Sequence, residues 1–201
     1  MQLTASHPVL AEIIGPHDGA GRRAKQAVLV VIGIALLAVA AKIKLPLPFT
    51  PVPVTMGTFA VLTIGAAYGA RLGLVTVSGY MIIGALGFDV FASSSAESSG
   101  LAYMMGGTGG YLLGYVLATL TLGALAEHGW DRSVVWMAIA MLIGNAMIYA
   151  PGLLWLGQLY GWDKPILEWG LTPFLVGDAL KLALAAIILP LVWKLVGDAR
   201  Q

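Results

Sequence analysis

The chain contains no cysteine, so disulfide usage gives no reading of the redox compartment. It is also short of charge: 10% of its 201 residues are Asp, Glu, Lys or Arg, against about 25% in soluble domains. The net charge of +1 gives no reason to propose a nucleic-acid partner. His7, His17 and His128 are scattered, and no metal-ligand spacing appears. No Gly-Lys-Ser/Thr sequence occurs, so no Walker A loop is present and the polypeptide is not expected to hydrolyse ATP. No internal repeat is visible, which weakens an inverted-repeat transporter reading.

What is abundant is apolar sequence. Hydrophobic residues make up 59% of the chain, and the mean hydropathy is +0.87. This composition indicates an integral membrane protein built of helices. Residues Met1–Ala20 read as a loosely ordered tail. Apolar spans follow at about 27–41, 54–68, 72–88, 111–125, 134–160 and 173–196. A tight turn is expected at Arg71, and a kink or break at Pro151-Gly152. The domain reading is a tail over 1–24, a six-helix membrane domain over 25–197 and a C-terminal tail over 198–201.

Six spans place both termini on one side. With the termini inside, the cytoplasmic face carries Arg22, Arg23, Lys25, Arg71, Arg132, Lys194 and Arg200, and the outer face only Lys42, Lys44 and Lys164. The positive-inside rule therefore puts both termini in the cytoplasm. Three unusual loops then lie outside. The first holds four prolines in eight residues, Pro46, Pro48, Pro51 and Pro53, which with Phe49 form a stiff apolar connection suited to capping a site. The second, Asp89–Gly107, is serine-rich, has no helical pattern and leads into Gly106-Gly107-Thr108-Gly109-Gly110-Tyr111. That glycine cluster suits either a flexible helix entry or close backbone approach to a ligand. The third carries Trp162 and Trp169.

The chemistry concentrates in Gly177-Asp178-Ala179-Leu180-Lys181, inside the last span. Asp178 and Lys181 are three residues apart and share a helix face. Ionisable groups within a membrane are expensive and mark functional sites, although a neutralised pair can also simply clamp helices together. Asn145 and Tyr149 share a face of the fifth span, where interhelical hydrogen bonding is the alternative role for Asn145.

The stretch from Ile43 through Pro46, Pro48, Phe49, Thr50, Pro51 and Pro53 to Met56 resembles the first-loop signature of the BioY family, the biotin-specific S components of energy-coupling-factor (ECF) transporters. Gly107-Thr108-Gly109-Gly110-Tyr111, Gly144-Asn145 with Tyr149, and Gly177-Asp178 with Lys181 resemble later segments of that family in matching order. The resemblance implies an all-α, six-helix S-component bundle in a bacterial plasma membrane. It implies biotin as transported ligand, no cofactor and no catalytic residue. A separate membrane coupling subunit and ATPase subunits would be its partners, in the lipid bilayer, and a homo-oligomer stays open.

Asp178, Lys181, Asn145, Tyr149, Thr108 and Tyr111 are the substrate-binding candidates. Asp178 can accept from ureido N–H groups and Lys181 can donate to the ureido carbonyl, while Lys42 and Lys44 can reach the ligand carboxylate at the mouth. The reverse assignment, Lys181 to the carboxylate, stays open. Trp155, Trp162 and Trp169 could flank the rings. Related S components often present small residues of helix 1 to the coupling subunit; here Gly33, Ala35, Ala38 and Ala41 are the candidates, without an alanine pair four apart. Other readings are an S component for another vitamin, a self-sufficient transporter and a membrane-embedded enzyme using Asp178.

Overall fold

The computed structural model describes residues 7–13, 15–45, 47–93 and 98–198. Pro46 and Arg200 lie outside the described residues. In lipid, every backbone polar group must find its partner within the protein, and the apolar runs satisfy this as helices. A short helix α1 (Leu10–Ile13) precedes α2 (Gly19–Lys42). Strands β1 (Lys44–Leu45) and β2 (Val54–Thr55) then pair antiparallel, with Lys44 opposite Thr55. Next come α3 (Gly57–Ala85), α4 (Gly100–Met104) and α5 (Gly109–Glu127). The chain ends with α6 (Val134–Tyr160), α7 (Ile166–Gly170) and α8 (Leu175–Asp198). Among the described residues, five helical segments are long and apolar enough to cross a membrane.

The second and third expected spans are joined in α3, which leaves helical geometry at Gly69 (φ 77°, ψ 174°). A methyl group built on Gly73 would come within 3.5 Å of the Gly65 Cα. In a straight helix those positions are about 12 Å apart, so the chain reverses at Gly69, two residues before Arg71. Glycine suits that backbone, since a positive φ strains any L side chain. The Glu127 carboxylate closes the turn by accepting the Ala70 N–H at 2.9 Å.

The core forms where α5 packs between α3 and α6. Gly110 and Gly114 repeat a small residue every four positions. Methyl groups there would lie 2.3 Å from the Pro151 carbonyl and 2.6 Å from the Ile148 Cα. Their absence lets the backbones of α5 and α6 approach closely, as small-residue interfaces in membranes do. Of the kink or break expected at Pro151-Gly152, no break is present, and α6 runs through it.

Two further expectations are corrected. The serine-rich segment is helical over α4, where Tyr103 stacks on Phe91 with ring centroids 4.9 Å apart. Part of the expected tail is packed rather than loose: Val9, Leu10 and Ile13 are buried, and α2 already begins at Gly19.

Candidate ligand-binding site

At the end of the bundle that carries the β1–β2 hairpin, a cavity is enclosed by α2, the hairpin, α3, α4, α5, α6 and α8. Tyr80, Phe91, Tyr103, Tyr111, Tyr115, Tyr149 and Phe174 make its wall strongly aromatic. Tyr80 and Tyr115 stand within otherwise apolar spans, and Phe91 fills the notch left by Gly84. Burial pushes the Tyr103 hydroxyl above its ordinary value, so it stays a protonated donor. The free space at the centre is about 50 Å³, well below the several hundred Å³ of small-molecule sites. Admitting a bicyclic ligand therefore requires side chains or covering loops to move.

The polar part of the site is one connected network. Lys181 Nζ donates to Asp178 Oδ1 at 2.9 Å, to Thr58 Oγ1 at 3.0 Å and to the Thr55 carbonyl at 2.7 Å. An ammonium has three donors, and all three are used. The Thr58 hydroxyl in turn donates to Asp178 Oδ1 at 3.4 Å, and Tyr149 donates to Asp178 Oδ2. Asp178 and Lys181 are 5% and 9% exposed, so each would be costly to bury without the other. Asp178 occupies the first turn of α8, where the helix dipole favours a negative charge.

Lys181, Thr58, Tyr149, Tyr111 and Thr108 line the cavity. Asp178 is not among the lining residues and sits behind Lys181, Thr58 and Tyr149, fixing all three. Tyr111 faces the cavity with its hydroxyl donated to the Gly170 carbonyl at 2.8 Å. Asn145 is not among the residues lining the cavity, and its buried Oδ1 accepts no hydrogen bond among the described residues. Position 145 shares a helix face with Tyr149, but only Tyr149 lines the cavity.

Of the proline-rich loop, Val52 and Pro53 reach the cavity, while Pro48, Phe49 and Pro51 are exposed above it. The loop is fastened where the Thr50 hydroxyl donates to the Trp169 carbonyl at 2.6 Å. None of Trp155, Trp162 and Trp169 lines the cavity. Trp155 instead donates to the Gly106 carbonyl at 2.9 Å, holding the glycine cluster against α6. At the mouth, Lys42 pairs with Asp89 and donates to the Phe91 carbonyl at 2.7 Å, while Lys44 is exposed.

The helix-1 candidates do not share one surface. Gly33 is buried against Tyr68 and Thr76 of α3, and Ala41 is buried and lines the cavity. Ala35 is exposed and Ala38 is half-buried. A helix turns about 100° per residue, which carries Gly33 and Ala41 away from Ala35.

Together these features define a multi-pass membrane protein with a small-molecule site enclosed at one end of its helical bundle. Its fold is that of a solved "S-component for biotin from an ECF-type ABC transporter", matched with a TM-score of 0.74 at 21% identity over 88% of this chain and 95% of that one. The chain belongs to the BioY family, whose pattern it matches over residues 11–198. It is 36% identical to the "Probable biotin transporter BioY" of Pyrococcus horikoshii, over 83% of this chain and 94% of that protein. It is 33% identical to the "Biotin transporter BioY" of Thermotoga maritima, over 69% and 79% respectively.

Proposed function

We propose that this chain is a biotin-binding S component that mediates biotin uptake across the membrane. The observation that carries the reading is the Lys181–Asp178–Thr58–Tyr149 network beneath an aromatic cavity. Biotin presents a neutral ureido ring, an apolar thioether ring and a carboxylate on a flexible tail. An aromatic wall with a few fixed polar groups suits such a head. On binding, the ureido carbonyl takes a Lys181 donor now spent on Thr55 or Thr58, and a ureido N–H donates to the Thr58 hydroxyl oxygen, with Asp178 holding both side chains from behind. The ion pair adds no net charge, so the neutral head is met without a stranded ion. The carboxylate stays near the mouth, within reach of Lys44 and water.

The reversal at Gly69 supports six passes from five assigned helices, and the excess of Lys and Arg at the end bearing the termini supports a cytoplasmic location for both. The hairpin end then faces outward and receives the ligand. Energy comes from a membrane coupling subunit and ATPase subunits, since this chain carries no Walker A sequence.

The test is to purify the protein, identify what copurifies by mass spectrometry and titrate the stripped protein with biotin by calorimetry. Copurifying biotin with saturable binding is expected. A different vitamin in the preparation, with no biotin binding, would overturn the ligand while leaving the S-component reading in place.

A further inference from the structure

A second cavity lies at the opposite end of the bundle, where the N-terminal segment, the start of α2, the Gly69 turn and the end of α5 converge. Its volume is about 780 Å³, far larger than the free space of the aromatic site. Arg22, Lys25 and Arg71 line it, and His7 and His17 add ring nitrogens. The opposing carboxylates are Glu12 and Glu127, and Glu127 is engaged by the Ala70 N–H. The Arg22 and Arg71 guanidinium groups converging on one cleft provide forked donors for phosphate oxygens.

The depth of these groups matters. The apolar run of α2 begins at Ala27, five residues after Arg22 and two after Lys25. At about 1.5 Å per residue they lie roughly 3 to 8 Å outside the apolar run. The polar zone on each side of a bilayer is about 5 to 8 Å deep, so the cleft lies at the level of lipid headgroups. From its rim the exposed side chains Val28, Ile32 and Leu36 climb α2 one turn apart, offering a path for acyl chains.

We propose that this cleft binds the phosphate-bearing headgroup of an anionic phospholipid, with the acyl chains laid along α2. Full-length protein in neutral detergent is titrated with phosphatidylglycerol, phosphatidylcholine or inorganic phosphate and read by native mass spectrometry. Phosphatidylglycerol is expected to be retained in preference to phosphatidylcholine. Raising ammonium acetate from about 0.1 to 0.5 M should weaken its retention, as screening demands. Arg22→Gln and Arg71→Gln should each lower affinity about fivefold, whereas Arg22→Lys and Arg71→Lys keep it. A melting curve for each variant reports whether it is folded, and the salt series on the natural protein needs no variant. Equal retention of phosphatidylcholine, or indifference to salt, overturns the proposal. Phosphate binding as tightly as the lipid assigns the cleft to a free anion and overturns the lipid source. Binding of neither leaves the cleft to an acidic protein partner and overturns it as well.

Discussion

Tyr149 donates its hydroxyl hydrogen to Asp178 Oδ2, the carboxylate oxygen that Lys181 does not hold. The carboxylate is thereby gripped from two helices, and its charge is shared between an ammonium and a phenol. Hydrogen bonds to a charged group are worth roughly 1.5 to 3 kcal/mol, and stranding one partner of a buried pair costs more. Asp178→Asn and Lys181→Met are each expected to weaken biotin binding at least tenfold, on the order of 1.4 kcal/mol or more. Tyr149→Phe should produce a smaller loss, because Lys181 and Thr58 still hold the carboxylate. Calorimetric titration of the folded variants checks the ranking, and unchanged affinity in the first two would move the site elsewhere.

The hairpin over the cavity is fastened at Thr50, whose hydroxyl donates to the Trp169 carbonyl. Thr50→Val keeps the shape and removes the bond. A net hydrogen bond contributes about 1 kcal/mol, so biotin should leave roughly fivefold faster. Stopped-flow displacement measures this. An unchanged release rate would mean that the hairpin does not limit escape.

How the chain disclosed this site is uneven. The Asp178/Lys181 pair was legible because two opposite charges inside an apolar run have few innocent explanations. The proline-rich cover was legible because prolines cannot continue a helix. Thr58, Tyr80 and Tyr115 were missed. A threonine in a span routinely bonds its own helix backbone, as Thr76 and Thr119 do here, and a tyrosine in a span packs much like phenylalanine. Only the bundle geometry shows that Thr58 meets Lys181 and that Tyr80 and Tyr115 line the same cavity. Asn145 differs in the opposite direction: its polarity marks it in the sequence, but it is not among the residues lining the cavity. The reversal was placed near Arg71 by its charge, whereas the turn itself is made by the residue able to adopt φ 77°.

At Gly69 a methyl group would meet Glu127 Oε1 at 2.9 Å in addition to the backbone strain. Gly69→Ala should therefore cost about 1 to 2 kcal/mol from the left-handed backbone alone. Disturbing the Ala70–Glu127 bond adds to that. Thermal unfolding in detergent is expected to show a melting point lower by about 3 to 6 °C. A variant as stable as the natural protein would show that the turn relaxes into another conformation.

Asp131, in the turn between α5 and α6, is 1% exposed and accepts from the Trp193 indole N–H, while its other oxygen has no partner among the described residues. Burial pushes its carboxyl above the ordinary 3.8, with Trp193, Arg132 and His7 offsetting this only in part. The folded protein thus holds this proton more tightly than the unfolded chain. Its contribution to stability is complete below pH 3.8 and is lost as the pH rises through the raised folded value. Asp131→Asn, which removes the ionisation, should melt higher than the natural protein at pH 7, with the gap closing on acidification towards pH 4. Equal melting points at pH 7 would show that Arg132 and His7 balance the burial in full.

Tight binding opposes delivery, because a ligand held at nanomolar Kd carries about 12 kcal/mol that must be offset on release. The described network offers no such source: Asp178 and Lys181 neutralise each other, and the chain lacks a nucleotide-binding loop. Concentrative uptake should therefore require partner subunits docked on α2. The outward position available for close approach is Ala35, with Ala38 beside it, since Gly33 and Ala41 face inward. Ala35→Leu fills that outward surface without touching the cavity, so it should abolish uptake by the assembled transporter and leave biotin binding intact. The purified chain alone in liposomes should bind biotin and fail to accumulate it. Accumulation against the gradient with no ATPase present would establish a self-sufficient transporter instead.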